Sequence, residues 1–240
     1  MKPSKQLKKH TLCADAAVFL FAALLLIFFI FATAKASIDR EQSLSPTLSC
    51  VLLFLICLIS YLGGILRVQR TGSNKIFRPL LWIFLCLYLY LVLSFTVLDS
   101  GLRLDGSRLM GRETPREIYL RWFVNLTPFK SIYTVYIQGL FEDLISLPKV
   151  VLNLLGNLCI MMPLAFFLPA LISPLRKWYF FLPAVTFPVV LIEATQFWLM
   201  VGSCDVDDLI LNVGGAMILF FILKLPPLAR FCKKVRDGWI

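Results

Sequence analysis

Hydrophobic residues in this 240-residue chain gather in long continuous runs rather than in short alternating segments. A helix needs about 20 apolar residues to cross the hydrocarbon core of a bilayer, and six runs come close to or exceed that length. They cover residues 14–34, 47–66, 79–98, 150–172, 178–201 and 207–225. The pattern predicts an all-α fold, a polytopic membrane bundle of about six transmembrane helices.

The composition strengthens this prediction. Hydrophobic residues make up 59% of the chain and charged residues 16%, whereas soluble domains carry about 25% charged residues. The chain is therefore expected to be an integral membrane protein whose first partner is the lipid bilayer.

The first apolar run has two interpretations. It follows a basic leader and ends in "FATAKAS", which offers a small-residue cleavage site, so it resembles a signal peptide. However, its apolar stretch is longer than the usual signal-peptide core of roughly 7–15 residues. A retained membrane anchor is favoured, and the later spans keep their orientation in both cases.

The net charge of +10 is interpreted as a record of topology and not as nucleic-acid binding. Cytoplasmic loops carry an excess of Lys and Arg, while long loops cross the membrane largely regardless of charge. With six spans, the basic clusters all fall on one side: the N-terminal tail, 67–78, 176–177 and the tail 226–240. Both termini are therefore predicted to be cytoplasmic, with the loop 99–149 facing outward and 1–78 forming an N-terminal two-helix segment.

The cysteine and histidine content offers no cofactor or zinc site. The seven cysteines include no CxxC pair, and the single histidine, His10, lies in the basic tail. A zinc site needs several such ligands close together, so no cofactor is predicted.

Polar residues inside the last three spans are the candidate functional groups, because such residues are costly in a membrane and usually mark a site. Glycines beside them would allow close helix packing. The predicted pocket residues are Asn153, Gly156, Asn157, Glu193, Gln196, Asp205, Asp208, Asn212 and Gly215.

Each set also has a purely structural explanation. The amides of Asn153 and Asn157 could join helices, and Glu193 could be a hydrogen-bonded structural carboxyl. Aspartates at a helix N-terminus cap free N–H groups. At 100° per residue, Asp205 and Asp208 share a face with Asn212, whereas Asp207 points elsewhere and is left with the capping role. Because the three sets lie at similar depths in the predicted outer half of the membrane, one outward-facing polar pocket is predicted.

Four segments together resemble the VanZ-like family over about residues 80–225. They are "FVNLTPFKSI", "NLLGNLCIMMPLAFFLP", "IEATQF" and "CDVDDLILNVGG". The resemblance places a VanZ-like membrane domain at 79–225 and adds Asn125, Pro128 and Phe129 in the outer loop to the site. Many relatives carry a basic residue shortly before the first Asp of the last segment, where this chain reads "VGSCD". Arg121 or Lys130 is a possible substitute for that charge.

The resemblance implies a setting in the bacterial cell membrane, since the founding member is associated with resistance to teicoplanin, an acylated glycopeptide antibiotic. Three functions stay open. The first is a non-catalytic protein that binds an amphiphile, an acylated antibiotic or a lipid-linked envelope component. The second is an intramembrane hydrolase or transferase, with Glu193 as general base and Asp205 and Asp208 as weak candidates for holding a divalent cation. The third is a lipid transporter or scramblase, with Glu193 as a proton site.

Overall fold

The computed structural model describes residues 46–98, 114–142 and 146–237, together with Val18, Leu20, Ala22 and Leu26. The predicted all-α class is confirmed, with one two-residue sheet added. The α-helices are α1 (Pro46–Thr71), α2 (Phe77–Leu93), α3 (Pro115–Trp122), α4 (Gly139–Phe141), α5 (Leu147–Ile160), α6 (Leu164–Leu171), α7 (Trp178–Leu199), α8 (Val206–Ile222) and α9 (Pro226–Asp237). The strands are β1 (Val124–Asn125) and β2 (Cys204–Asp205), and there are π-helical turns at Ser94–Leu98 and Ile132–Gln138 and a 3₁₀ turn at Ser173–Arg176.

Four helical stretches among the described residues are long and apolar enough to cross a membrane: Val51–Thr71, Phe77–Leu98, Leu147–Leu171 and Trp178–Leu199. A fifth is added if the broken pair formed by α8 and α9 counts as one span. The predicted first span, 14–34, lies largely outside the described residues. The number six and the orientation of the termini therefore stay predictions.

The chain divides into two compact units. The first comprises Met1–Leu91 and Ala229–Ile240. Its buried residues Leu53 and Ile56 pack with neighbours from the same unit. The Tyr61 ring lies 5.3 Å from that of Phe77, and its hydroxyl donates to the Val235 carbonyl at 3.0 Å.

The second unit, Val92–Leu228, contains the candidate site. Here α8 packs against both α5 and α7. The Phe181 and Phe220 rings stack at 4.4 Å between α7 and α8. At the crossing with α5, a Cβ added to Gly215 would lie 1.8 Å from the backbone oxygen of Leu158. Only a glycine therefore permits this approach, and it brings the polar residues of the two helices together.

Local sequence explains where the outer-loop helix α3 begins. Thr114 is its N-cap, and Pro115 occupies a first-turn position where a missing N–H costs nothing. The Thr114 backbone N–H donates to Glu117 at 2.7 Å, and the Glu117 N–H donates to the threonine hydroxyl at 3.3 Å. The two bonds form a capping box. Hydrogen bonds from Thr114 to the carboxylate, the backbone one first, lower the pKa of Glu117.

Candidate functional site

A parallel bridge joins the outer loop to the start of α8. Val124 pairs with Cys204 and Asn125 with Asp205, and the Cys204 N–H donates to the Phe123 carbonyl at 2.8 Å. The two strands are short, so side-chain contacts must add to the stability of this junction.

Asp205 is the polar centre of that junction. Its carboxylate accepts from the Asp207 N–H at 2.8 Å, from the Asn125 amide at 2.9 Å and from the Ser131 hydroxyl. Asn125 in turn accepts from the Thr127 N–H at 3.0 Å, as Asn commonly does in turns. Asp205 is thus the N-cap of α8 and also fixes the outer loop.

Asp207 is the most buried of the three aspartates, with 1% of its surface exposed. It accepts the backbone N–H of Phe129 through one oxygen and that of Ile132, at 3.1 Å, through the other. The interpretation that gave Asp207 only a capping role was wrong, because the cap is Asp205. The 100° rule places a side chain around a helix axis but does not reveal which loop lies opposite it.

The turn that Asp207 holds is strained at Phe129. The Lys130 N–H donates to the Thr127 carbonyl at 3.3 Å, so Pro128 and Phe129 are the central residues. Phe129 has φ of 61°, the positive value that a type II turn requires at its second central position and that Gly or Asn usually supplies. The hydrogen bond from its N–H to Asp207 compensates for that strain. The Phe129 side chain itself is exposed.

The carboxylate of Glu193, on α7, reaches the same junction. It accepts from the Asp205 N–H at 3.0 Å and from the Cys204 thiol. Burial, with added repulsion from the Glu193 carboxylate, raises the pKa of Cys204 to about 11. The thiol is therefore protonated at neutral pH and acts as a donor.

A cavity of about 50 Å³ lies on the other side of Glu193. Its polar lining includes five predicted residues and one that was not predicted, Thr96, and its remaining lining is aliphatic and thioether. The lining residues are Thr96, Asn157, Ile160, Met161, Val189, Ile192, Glu193, Gln196, Asp208 and Asn212. All of them belong to the second unit.

Internal hydrogen bonds orient the polar wall. The Asn157 amide donates to the Asp208 carboxylate, which links α5 to α8. The Gln196 amide donates to the Thr96 carbonyl at 2.9 Å, while the Thr96 hydroxyl donates to Val92. The wall is therefore built from three spans and the start of α8.

Asn212 is the exception in this wall. Its side-chain oxygen is buried and has no hydrogen-bond partner among the described residues, although only 7% of the residue is exposed. An unpartnered buried acceptor costs roughly 1–3 kcal/mol. Such a group in a native cavity calls for an explanation, and a ligand donor is one.

Several predicted residues lie elsewhere. Asn153 is exposed and does not line the cavity. A Cβ at Gly156 would meet nothing within 4 Å, so the expected close helix approach at this glycine was wrong. Gly215 makes that approach instead.

No group of three or more His, Cys, Asp or Glu side chains in the described part of the chain is arranged to hold a metal ion. Asp205 and Asp208, the weak candidates, are engaged separately, one with Asn125 and Ser131, the other with Asn157. The hydrogen bonds to Asp205 and Asp207 come from neutral donors. Nothing in these bonds gives Arg121 or Lys130 the role of the basic residue that many relatives carry.

Sequence reasoning missed residues whose role depends on distant partners. Ser131 supports Asp205, and Thr96 supplies a carbonyl to Gln196. The buried Tyr119 hydroxyl donates at 3.1 Å to the Gln196 carbonyl, near the end of α7; burial raises the pKa of Tyr119 to about 12. Polarity within the outer loop was the only available signal for Tyr119 and Ser131.

These features define a multi-pass membrane protein with a polar cavity walled by apolar helices. The VanZ/LLP1 family model matches residues 81–228, more than half of the chain, so the protein belongs to the VanZ/LLP1 family. No curated protein and no solved structure matches the chain.

Proposed function

We propose that this protein binds the polar group of an amphiphile in the cavity beside Glu193, without chemical change, in the bacterial cell membrane. The bound molecule would be a lipid-linked envelope component or an acylated antibiotic, and binding would protect the cell against lipoglycopeptides such as teicoplanin. The observation that carries the proposal is the buried, unpartnered oxygen of Asn212 in a cavity lined by Glu193 and Asp208.

Burying polar groups in the cavity wall costs free energy, which calls for a function that retains them. Buried polar groups are normally hydrogen-bonded, and those that are not are retained for a role other than stability. Ile160, Met161, Val189 and Ile192 complete the lining. A cavity with polar and apolar walls suits the junction between a polar head and its hydrocarbon chain.

Replacing Asn212 separates function from stability. Asn212→Leu keeps the branching and the number of side-chain heavy atoms and removes the unpartnered acceptor, so we expect the purified protein to unfold at an equal or higher temperature. Binding needs that acceptor, so the variant should lower the inhibitory concentration of teicoplanin to that of a susceptible Gram-positive host without the protein. Glu193→Gln should do the same.

Asn153→Leu is the matched control, because it makes the same chemical change at an exposed position. It should preserve protection. Full protection by Asn212→Leu and Glu193→Gln, at equal amounts in the membrane, would exclude the proposed function.

An intramembrane hydrolase or transferase is the second candidate, because the carboxylates of Glu193 and Asp208 face one cavity. A carboxylate pair can divide general acid and base roles. Radiolabelled lipid-linked wall precursor incubated with the purified protein separates the two functions. A binder returns it unchanged, whereas an enzyme converts it and loses turnover with Glu193→Gln.

A further inference from the structure

The cavity presents acceptors on its polar wall. One amide N–H of Asn157 donates to Asp208 and one of Gln196 donates to the Thr96 carbonyl, so each amide uses a donor internally. The Thr96 hydroxyl also donates within the protein, to the Val92 carbonyl at 2.8 Å. The acceptors on this wall are the carboxyl groups of Glu193 and Asp208 and the unpartnered oxygen of Asn212.

The wall also carries two carboxyl groups. Glu193 and Asp208 both line the cavity, and no Lys, Arg or His is among the described residues that line it. A carboxylate removed from water is stable only when it is paired or fully hydrogen-bonded. Glu193 accepts from Asp205 and Cys204, and Asp208 from Asn157, which leaves the pair without a positive partner from the wall.

Asn212 adds an independent observation. Its oxygen belongs to a residue that is 7% exposed, lines the cavity and accepts no hydrogen bond from the described residues. A ligand donor would satisfy it. A protonated amine combines both features. Its positive charge suits the carboxyl groups, and its N–H groups can donate to Asn212.

Size and apolar lining narrow the choice. A volume of about 50 Å³ holds a few water molecules or one small charged head, since one water needs roughly 10–15 Å³ by the same measure. Ile160, Met161, Val189 and Ile192 offer contacts for methylene groups next to such a head. A polar group with bulky substituents on its charged atom would not fit inside the cavity.

We propose that the polar group bound in this cavity is a protonated primary amine carried by an amphiphile. Its N–H groups donate to Asn212 and to the Glu193 and Asp208 carboxylates, and its first methylenes lie against the aliphatic wall. This inference rests on the proposed function and names the class of head group that the site selects.

The test compares four probes with the purified full-length chain in nanodiscs. Dodecylammonium has the charge and the N–H donors, dodecyltrimethylammonium has the charge alone, dodecanol is neutral and dodecanoate is negative. We expect dodecylammonium to bind about tenfold more tightly than each of the others. That ratio corresponds to the free energy of a hydrogen bond made by a charged group. Glu193→Gln and Asp208→Asn should remove that preference, whereas Glu142→Gln, the same change at an exposed position, should keep it.

The outcomes distinguish failure of the amine inference from failure of the proposed amphiphile binding. If all four probes bind equally and Asn212→Leu weakens them all, the amine inference fails and amphiphile binding stands. If none binds, both fail. The wild-type comparison between probes decides the result even where a variant does not fold.

Two competitors identify the source of the amine. Methylammonium has the same head without the tail, and weak displacement of dodecylammonium by it supports an amphiphile. Displacement at equal concentration would overturn the amphiphile in favour of a free amine. Displacement by magnesium chloride at constant ionic strength would overturn the amine in favour of a metal ion.

Discussion

Asp207 and Asp208 are adjacent in the chain and differ in burial and in the groups they contact. Asp207 is 1% exposed and holds two backbone N–H groups of the outer loop, while Asp208 lines the cavity and accepts from Asn157. One step along a helix rotates a side chain by 100°, which here is enough to separate a carboxylate that holds the loop from one that lines the cavity. Residue type alone does not distinguish the two roles.

Asp207→Ala tests the structural role. It leaves the Phe129 and Ile132 N–H groups without their acceptor and releases the strained turn, so we expect a loss of about 2 kcal/mol or more in the free energy of unfolding. Amide hydrogen exchange at Phe129 and Ile132 should accelerate selectively. Asp207→Asn keeps one acceptor oxygen, so its stability should fall between those of the wild type and Asp207→Ala. Unchanged exchange at both amides in Asp207→Ala would contradict this role.

At the scale of elements, the contact of α5 with α8 determines the cavity. Gly215 brings the two backbones together at Leu158, one residue after the Asn157 that donates to Asp208. Close packing through small residues is how membrane helices associate when water exclusion provides little driving force. The position of a single glycine therefore controls the geometry of the polar wall.

Gly215→Ala should force the helices apart, because its Cβ would lie 1.8 Å from a backbone oxygen that cannot rotate away. We expect a lower unfolding temperature, a cost of about 1–3 kcal/mol and weaker dodecylammonium binding. Gly214→Ala is the matched control, since its Cβ meets nothing within 4 Å and alanine favours a helix. Equal unfolding temperatures for the two variants would show that the close approach is not required.

For the whole molecule, orientation in the membrane is the property that the basic residues predict. Four helical stretches among the described residues qualify as spans, and the basic residues near their ends predict which side each connection faces. Leu147–Leu171 is the candidate span between the predicted outer loop and the basic connection at Arg176 and Lys177. The helix is interrupted between α5 and α6, so whether this segment crosses the membrane is the question to test.

Cysteine labelling measures this crossing. In a variant with the native cysteines replaced, Glu142→Cys and Lys177→Cys introduce thiols at exposed positions on either side of the span. A membrane-impermeant maleimide should label the first in intact cells and the second only after permeabilisation. Labelling of both in intact cells would indicate that this segment re-enters the membrane without crossing it.

The sequence by itself determined the membrane class, four helices long and apolar enough to span a membrane, and the family, because hydrophobic length and motif order are properties of contiguous residues. It also named Asn157, Glu193, Gln196, Asp208 and Asn212, since polar groups in apolar runs are visible without a fold. Tertiary structure alone decided that Asn153 lies outside the cavity, that Gly215 and not Gly156 is the crossing point, and that Asp207 is a loop anchor. Those roles depend on partners far along the chain, such as Asn125 with Asp205, 80 residues apart, and Thr96 with Gln196, 100 apart. No local pattern encodes such pairings, because they arise only when separate helices pack.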